Sequence, residues 1–276
     1  MDKTAIEAIQ TLAHAEQINK TIAETDLFTV ALPKGYHLED LEKFGNQPNR
    51  FRGHFTTHLI DEFTDYLNAN ATENTGIFVD SQKSTAHAII DMGRGGNPKW
   101  GAHKASITLK PTPEFAALTA NKDKAFDQLA FIDLLEDWPE CIIFQDGSDD
   151  GKTMGLTTAI AAIRKLTIKQ ASDKTTETGD FNATVSQFDQ IEVNANGAPL
   201  PQGFIFTCTP YEGLSEVRFE CRLRAMTEGK TVQLKYRILA YDRILDDIAV
   251  EFKDTLKAKI TAPGASFYCG EMAYQK

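Results

Sequence analysis

Ile6, Ile9, Leu12, Ala15, Ile18 and Ile22 recur at steps of three or four, which predicts an amphipathic helix from about Lys3 to Glu24. Its apolar stripe must be covered, either by the chain's own core or, as a terminal arm, by a neighbouring subunit. Residues 27–44, LFTVALPKGYHLEDLEKF, read as a short strand ended by Pro33-Lys34-Gly35 and followed by a brief acidic helix. Pro presets φ at such a turn and Gly tolerates a positive one. Beyond the polar connection GNQPNRFRG, the stripe Phe55, Leu59, Ile60, Phe63, Tyr66 and Leu67 predicts a second helix near Phe55 to Leu67.

From 76 to 110 the pattern changes to β structure, with GIFVD, AHAIIDMG and HKASITL separated by polar or glycine-rich turns. GRGGNPKWG, residues 93–101, reads as a hairpin tip, and Trp100 there is a candidate interface anchor or a ring packed back on its own sheet. Between about Lys124 and Trp138, Phe126, Leu129, Ala130, Phe131, Ile132, Leu134, Leu135 and Trp138 cover most of a helix circumference. A helix apolar on nearly all sides is expected inside a large fold or between subunits. CIIFQ then reads as a buried strand, and a helix follows near Leu156 to Ile168.

QASDKTTETGD, residues 170–180, is polar enough for a surface connection between an N-terminal half, 1–170, and a strand-rich half, 181–276, which also read as one interlocked domain. Strands are predicted at 181–193 and 203–209. A long hairpin comes next. Val217, Phe219, Cys221, Leu223 and Ala225 alternate on one side of Thr227-Glu228-Gly229-Lys230, and Val232, Leu234, Tyr236 and Ile238 alternate on the other, so one face is buried and one wet. A last helix, Arg243 to Ile260, has Ile244, Ile248, Phe252, Leu256 and Ile260 at intervals of four. Each such step overshoots a turn by roughly 40°, so this stripe winds around the helix. The fold class is therefore α+β, with mixed or antiparallel sheets and packed amphipathic helices.

The 276 residues, 42% hydrophobic and 25% charged, suffice for a core without metals or disulfides and exclude a disordered, collagen-like or disulfide-stapled chain. Four cysteines, at 141, 208, 221 and 269, form no CxxC pair, so reduced thiols are expected. No secretory signal and no apolar run near the ~18 residues of a membrane span is present, so a soluble cytoplasmic protein is expected. Net charge is −10, with thirteen Lys and Arg against twenty-one Asp and Glu before residue 141. Such an acidic surface argues against general coating of nucleic acid.

The candidate chemistry is sparse. His54, His58 and Glu62 at i, i+4 and i+8 would line one flank of the second helix and are weighed as a metal site against a solvated polar flank. The sequence lacks HExxH and GxSxG motifs. Gly147-Ser148-Asp149-Asp150-Gly151-Lys152-Thr153 imitates a phosphate loop with one residue too few between the glycines and two acids facing the phosphate. A calcium loop there would need Glu where Thr157 stands. No catalytic residue, cofactor or metal is therefore expected. Arg218, Arg222, Arg224, Lys235 and Arg237, interrupted by Glu220, share the wet face of the hairpin. They read as a solubilising face, as a contact with the acidic half of another copy, or as a track for a phosphate backbone. Single-strand readers interleave aromatics, and this face offers only Tyr241 at its end.

LPKGYHLEDLEKF, NRFRGHFTTHLIDEFTDYL, IFVD, FDQLAFIDLLED and PLPQGFIFTCTPYEG together resemble the YfdQ family of phage and prophage proteins, over essentially the whole chain. The resemblance implies a phage-related origin and a bacterial host cytoplasm, and it brings no reaction or site residue. The reading is a non-enzymatic protein acting by self-assembly into a homo-oligomer, as a ring or shell. A nucleic-acid-binding accessory of phage recombination and an inhibitor of a host defence complex are the alternatives.

Overall fold

The computed structural model describes residues 3–24, 42, 46–145, 153–166, 201–228 and 231–273. The chain divides into two compact units, Met1–Phe51 and Arg52–Lys276. In the first, helix α1 spans Lys3–Glu24, as its periodicity predicts. Ile9 and Leu12 are 56% and 71% exposed on it. The predicted strand near 27–32, its Pro33-Gly35 turn, the connection at 170–180 and the strand at 181–193 lie outside the described residues.

The second unit opens with β1 (Gly53–Thr57), α2 (Ile60–Asn70), β2 (Gly76–Asp80), β3 (Thr85–Ile89), the two-residue strands β4 (Gly93–Arg94) and β5 (Asn97–Pro98), and β6 (His103–Thr108). Next come α3 (Pro113–Asn121), α4 (Gln128–Glu136), β7 (Ile142–Gln145), β8 (Thr153–Met154), α5 (Leu156–Arg164), β9 (Gly203–Cys208), β10 (Val217–Glu228), β11 (Thr231–Ile238), α6 (Tyr241–Lys259) and β12 (Ser266–Cys269). The protein is α+β, with mixed and antiparallel sheets and a strand-rich C-terminal half.

One sheet has the order β1-β6-β3-β2-β12, with parallel pairs at both edges, and the other has the antiparallel order β11-β10-β9-β7-β8. Ala105, Ala88 and Ile77 lie level across the first sheet, as do Ile107, Ala86 and Val79, and these six are at most 2% exposed. α2 packs on β1, β6 and α6, and its Phe63 and Leu67 are fully buried. At the second sheet the same continuous core gathers Phe131, Phe144, Phe204, Phe219 and Tyr236, also buried, where α4 packs on β11. Tyr236 brings a polar group inside, and its hydroxyl donates to the Leu118 carbonyl at 2.7 Å.

The helix predicted over Phe55 to Leu67 divides in two. Gly53–Thr57 is a strand paired with β6, and the helix starts only at Ile60. β-Branched Thr56 and Thr57 fit a pleated strand better than a helix interior. Thr57 Oγ1 accepts the Leu59 amide at 3.1 Å where the chain turns, and Phe55 stacks on Tyr66 at 4.5 Å between centroids. The apolar period spans both elements because each turns a face to the same core.

The helix expected from Lys124 begins at Gln128. Phe126 is held in an extended bridge with Leu234, and Asp127 caps α4 by accepting the Ala130 amide at 2.8 Å. Only one side of α4 is buried, at Phe131, Ile132 and Leu135, and Leu129 stands 70% exposed. α5 starts at Leu156 as predicted and ends at Arg164, short of the expected Ile168, whereas α6 keeps to its predicted course and buries Ile248, Phe252 and Leu256. Its C-terminus is tied to α2. The Asn68 amide nitrogen donates to the Lys259 carbonyl at 2.9 Å, and its oxygen accepts the Thr261 amide at 2.8 Å.

Candidate functional site

The wet hairpin face is assembled as the alternation requires. Arg222 pairs with Arg237 and Arg224 with Lys235 across β10 and β11, and Arg218 lies opposite Thr207 of β9. Arg218, Arg222, Arg224 and Arg237 are exposed, whereas Lys235 is half-buried with its ammonium 3.8 Å from the Asp123 carboxylate. Beside the arginines, Gly203 and Ile205 of β9 lead to Ile143 of β7, which is 47% exposed. The face is thus a row of cations, interrupted by exposed Glu220 opposite Ile205, beside a short apolar strip. Tyr241 adds no stacking ring to it, because the Lys122 ammonium sits over that ring at 4.2 Å from the centroid. Trp100, 69% exposed, follows the separate two-stranded β4–β5 hairpin, which connects β3 and β6 of the first sheet, so it belongs to a different part of the fold from the five cations.

The proposed His54, His58 and Glu62 flank does not form. His54 sits on a strand, His58 precedes the helix with Nδ1 2.7 Å from the Thr108 carbonyl, and Glu62 falls in the first turn of α2. Among the described residues no three His, Cys, Asp or Glu side chains gather at metal-binding distance. The stretch 146–152 lies outside the described residues, and Thr153 opens β8.

A second constellation escapes sequence reading. On the first sheet His54 Nε2 lies 2.5 Å from Ser106 Oγ, and His87 Nδ1 lies 3.0 Å from the same oxygen. A hydroxyl has one proton, so one ring accepts it while the other donates its N–H to the oxygen. Three strands supply the triad, and the register places its Ser106 and His87 in a row, Tyr268–Phe78–His87–Ser106–Thr56, running across all five strands. Phe78 and Tyr268 stack at 5.1 Å with planes 16° apart, and Tyr268 is 47% exposed. The neighbouring row reads Ser266–Gly76–Ile89–Lys104–His54. His54, Thr56 and His87 are exposed, while Ser106 is buried beneath the rings. At one end of this face Lys83 bridges Asp80 at 3.4 Å and Glu271 at 2.5 Å.

On the opposite, helix-covered side, the Tyr66 hydroxyl is 2.7 Å from His103 Nε2. Burial lowers the His103 pKa, partly offset by the Asp91 carboxylate. An open groove of about 520 Å³ between α4 and α5 is lined by Glu136, Leu156, Ile160, Arg164 and Lys165, and Arg164 pairs with Glu136 at 3.6 Å.

All four cysteines are free thiols. Burial pushes the Cys208 thiol up to about 12 and raises Cys221 too, and it raises half-buried Cys141 with help from Glu114, Glu140 and Glu216. Thiolate is the reacting species, so these three are slow nucleophiles near pH 8. With Ellman's reagent the folded protein is expected to release about one equivalent rapidly, from exposed Cys269, and four only after unfolding in denaturant. Rapid release of three or more from the folded chain would contradict this burial.

These features describe an α+β protein with two exposed polar sheet faces, one arginine-rich and one carrying imidazole and aromatic rings. Residues 2–272 match the family of uncharacterized conserved proteins DUF2303, and the chain belongs to that family. No curated protein and no solved structure matches it. Among the described residues no helix is long and apolar enough to cross a membrane.

Proposed function

We propose that the chain is a phage- or prophage-derived protein that works in the bacterial cytoplasm by assembling with copies of itself into a ring or shell, without catalysing a reaction. The observation that carries this reading is α1, a 22-residue helix of the first unit, with Ile9 and Leu12 open to solvent on the predicted stripe. A helix gains most of its stability from packing an apolar face, and exposed Ile9 and Leu12 offer such a face to another copy.

Opposed charges on the second unit favour a head-to-tail contact between copies. Arg218, Arg222, Arg224 and Arg237 lie beside an apolar strip on one side, while α6 exposes Asp242, Asp246, Asp247 and Asp254 around Val250, which is 50% exposed. Contact between unlike surfaces of identical copies closes into a ring when the rotation permits. The full chain is expected to run as a discrete high-mass species in light scattering, and the double substitution Ile9→Asp, Leu12→Asp is expected to reduce it to monomer or to a much smaller species. Wild-type protein that stays monomeric at every concentration tested overturns the reading.

Exposure of four arginines on one face supports a second reading, in which that face follows the phosphate backbone of a duplex. Duplex binding then falls steeply with salt and is lost in Arg222→Glu, Arg224→Glu. Binding unchanged by that double reversal removes this alternative.

A further inference from the structure

The face of the first sheet away from α2, exposed at Tyr268, His87, Thr56 and His54 and covered by Met92 over Gly76, carries a different chemistry from the arginine face. Its two central rows hold ten residues, Thr56, Ser106, His87, Phe78 and Tyr268 beside His54, Lys104, Ile89, Gly76 and Ser266. None of the ten is an acid, on a chain of net charge −10 whose helices α2 and α6 expose Asp61, Glu62, Asp65, Asp246 and Asp247. The basic side chains of the rows are His54 on β1, Lys104 on β6 and His87 on the central β3. The stacked rings stand toward the β12 side.

We propose that this face binds single-stranded nucleic acid, with a base stacked on Tyr268 and phosphates met by His54, His87 and Lys104. A strand offers what the two ends of the face take. Flat bases gain from an aromatic ring regardless of their sequence, and phosphates gain from imidazole N–H, ammonium and hydroxyl donors. Tyr268 lies on the edge strand with Phe78 inboard, so a base extends an existing stack outward from the sheet. Four inter-strand gaps of about 4.8 Å make the platform roughly 19 Å wide, which is several base steps of about 3.4 Å. A duplex buries its base faces and has no use for the ring. Strand binding here needs neither α1 nor the arginine face and stands apart from the assembly reading.

The test is fluorescence anisotropy of a labelled fifteen-nucleotide oligo-dT with the full-length protein at low and moderate salt. Saturable binding is expected, weaker as salt rises. Tyr268→Ala is expected to weaken it about tenfold or more, Tyr268→Phe to keep it within about twofold, and His87→Gln and His54→Gln each to weaken it severalfold. Tyr268, His54 and His87 are exposed side chains, and circular dichroism checks that each variant keeps the wild-type fold. Three results overturn the proposal. One is no saturable binding at low salt. Another is binding that survives Tyr268→Ala and His87→Gln but is lost in Arg222→Glu, Arg224→Glu, which places the strand on the other sheet. The last is competition by free thymidine monophosphate as strong as that by the unlabelled oligonucleotide, which makes the site one for a mononucleotide.

Discussion

Phe131→Ala is expected to lower the unfolding free energy by about 3–5 kcal/mol, the range for removing a fully buried aromatic ring. Phe131 is 0% exposed on α4, and its ring faces Phe126 at 6.0 Å and Tyr236 at 6.4 Å between centroids. These neighbours come from an extended segment and from β11, so a cavity at Phe131 loosens the attachment of α4 to the second sheet and not one pair alone. Neither neighbour is free to refill the space. Phe126 is pinned by its backbone bridge to Leu234, and Tyr236 by its hydroxyl bond to Leu118. Urea denaturation gives the measurement, as a lower midpoint at unchanged slope. Leu129→Ala, on the open side of the same helix, is expected within about 0.5 kcal/mol of wild type in the monomer. A Phe131 effect under 1 kcal/mol would contradict this packing.

Gly203→Ala is the second large effect, and it arises from too little space. An added Cβ would lie 2.3 Å from the Cys221 carbonyl oxygen, which is backbone of the paired strand and has no rotamer by which to withdraw. The two strands must separate or the local register shift, at about 1–3 kcal/mol or more. Arg222 is the register partner of Gly203, so the arginine row is displaced as well. Gly95→Ala is the control, since its Cβ meets nothing within 4 Å, and a change of no more than about 0.5 kcal/mol is expected. Equal effects from the two substitutions would show that close approach at Gly203 does not govern the result.

Local period carried much of the fold. The β10–β11 hairpin could be read residue by residue, because strict alternation fixes which side chains enter the core, and Phe219, Cys221, Leu234, Tyr236 and Ile238 are buried as that alternation requires. α6 followed from the same logic at helical spacing. Reading failed where two elements of different period face one core, as at Phe55 and Phe63, and where pairing is remote in sequence, as in β12. α3 was missed although its signal is local: Thr112 caps it by accepting the Phe115 amide, and Pro113 stands in its first turn. The arginine face was legible because a single hairpin supplies it. The His54–Ser106–His87 group was not, because three strands supply it and the first of them had been assigned to a helix.

The parallel pairing of Ser266–Cys269 with Gly76–Asp80 bears on how the chain is made. While a ribosome is still translating residues before 266, β2 has β3 on one side and a bare row of amides and carbonyls on the other. Such an edge invites pairing with the wrong strand, and closing so long a loop is slow. Completion of the first sheet therefore waits until residues 266–269 have emerged, and products terminated before them are the forms most exposed to aggregation.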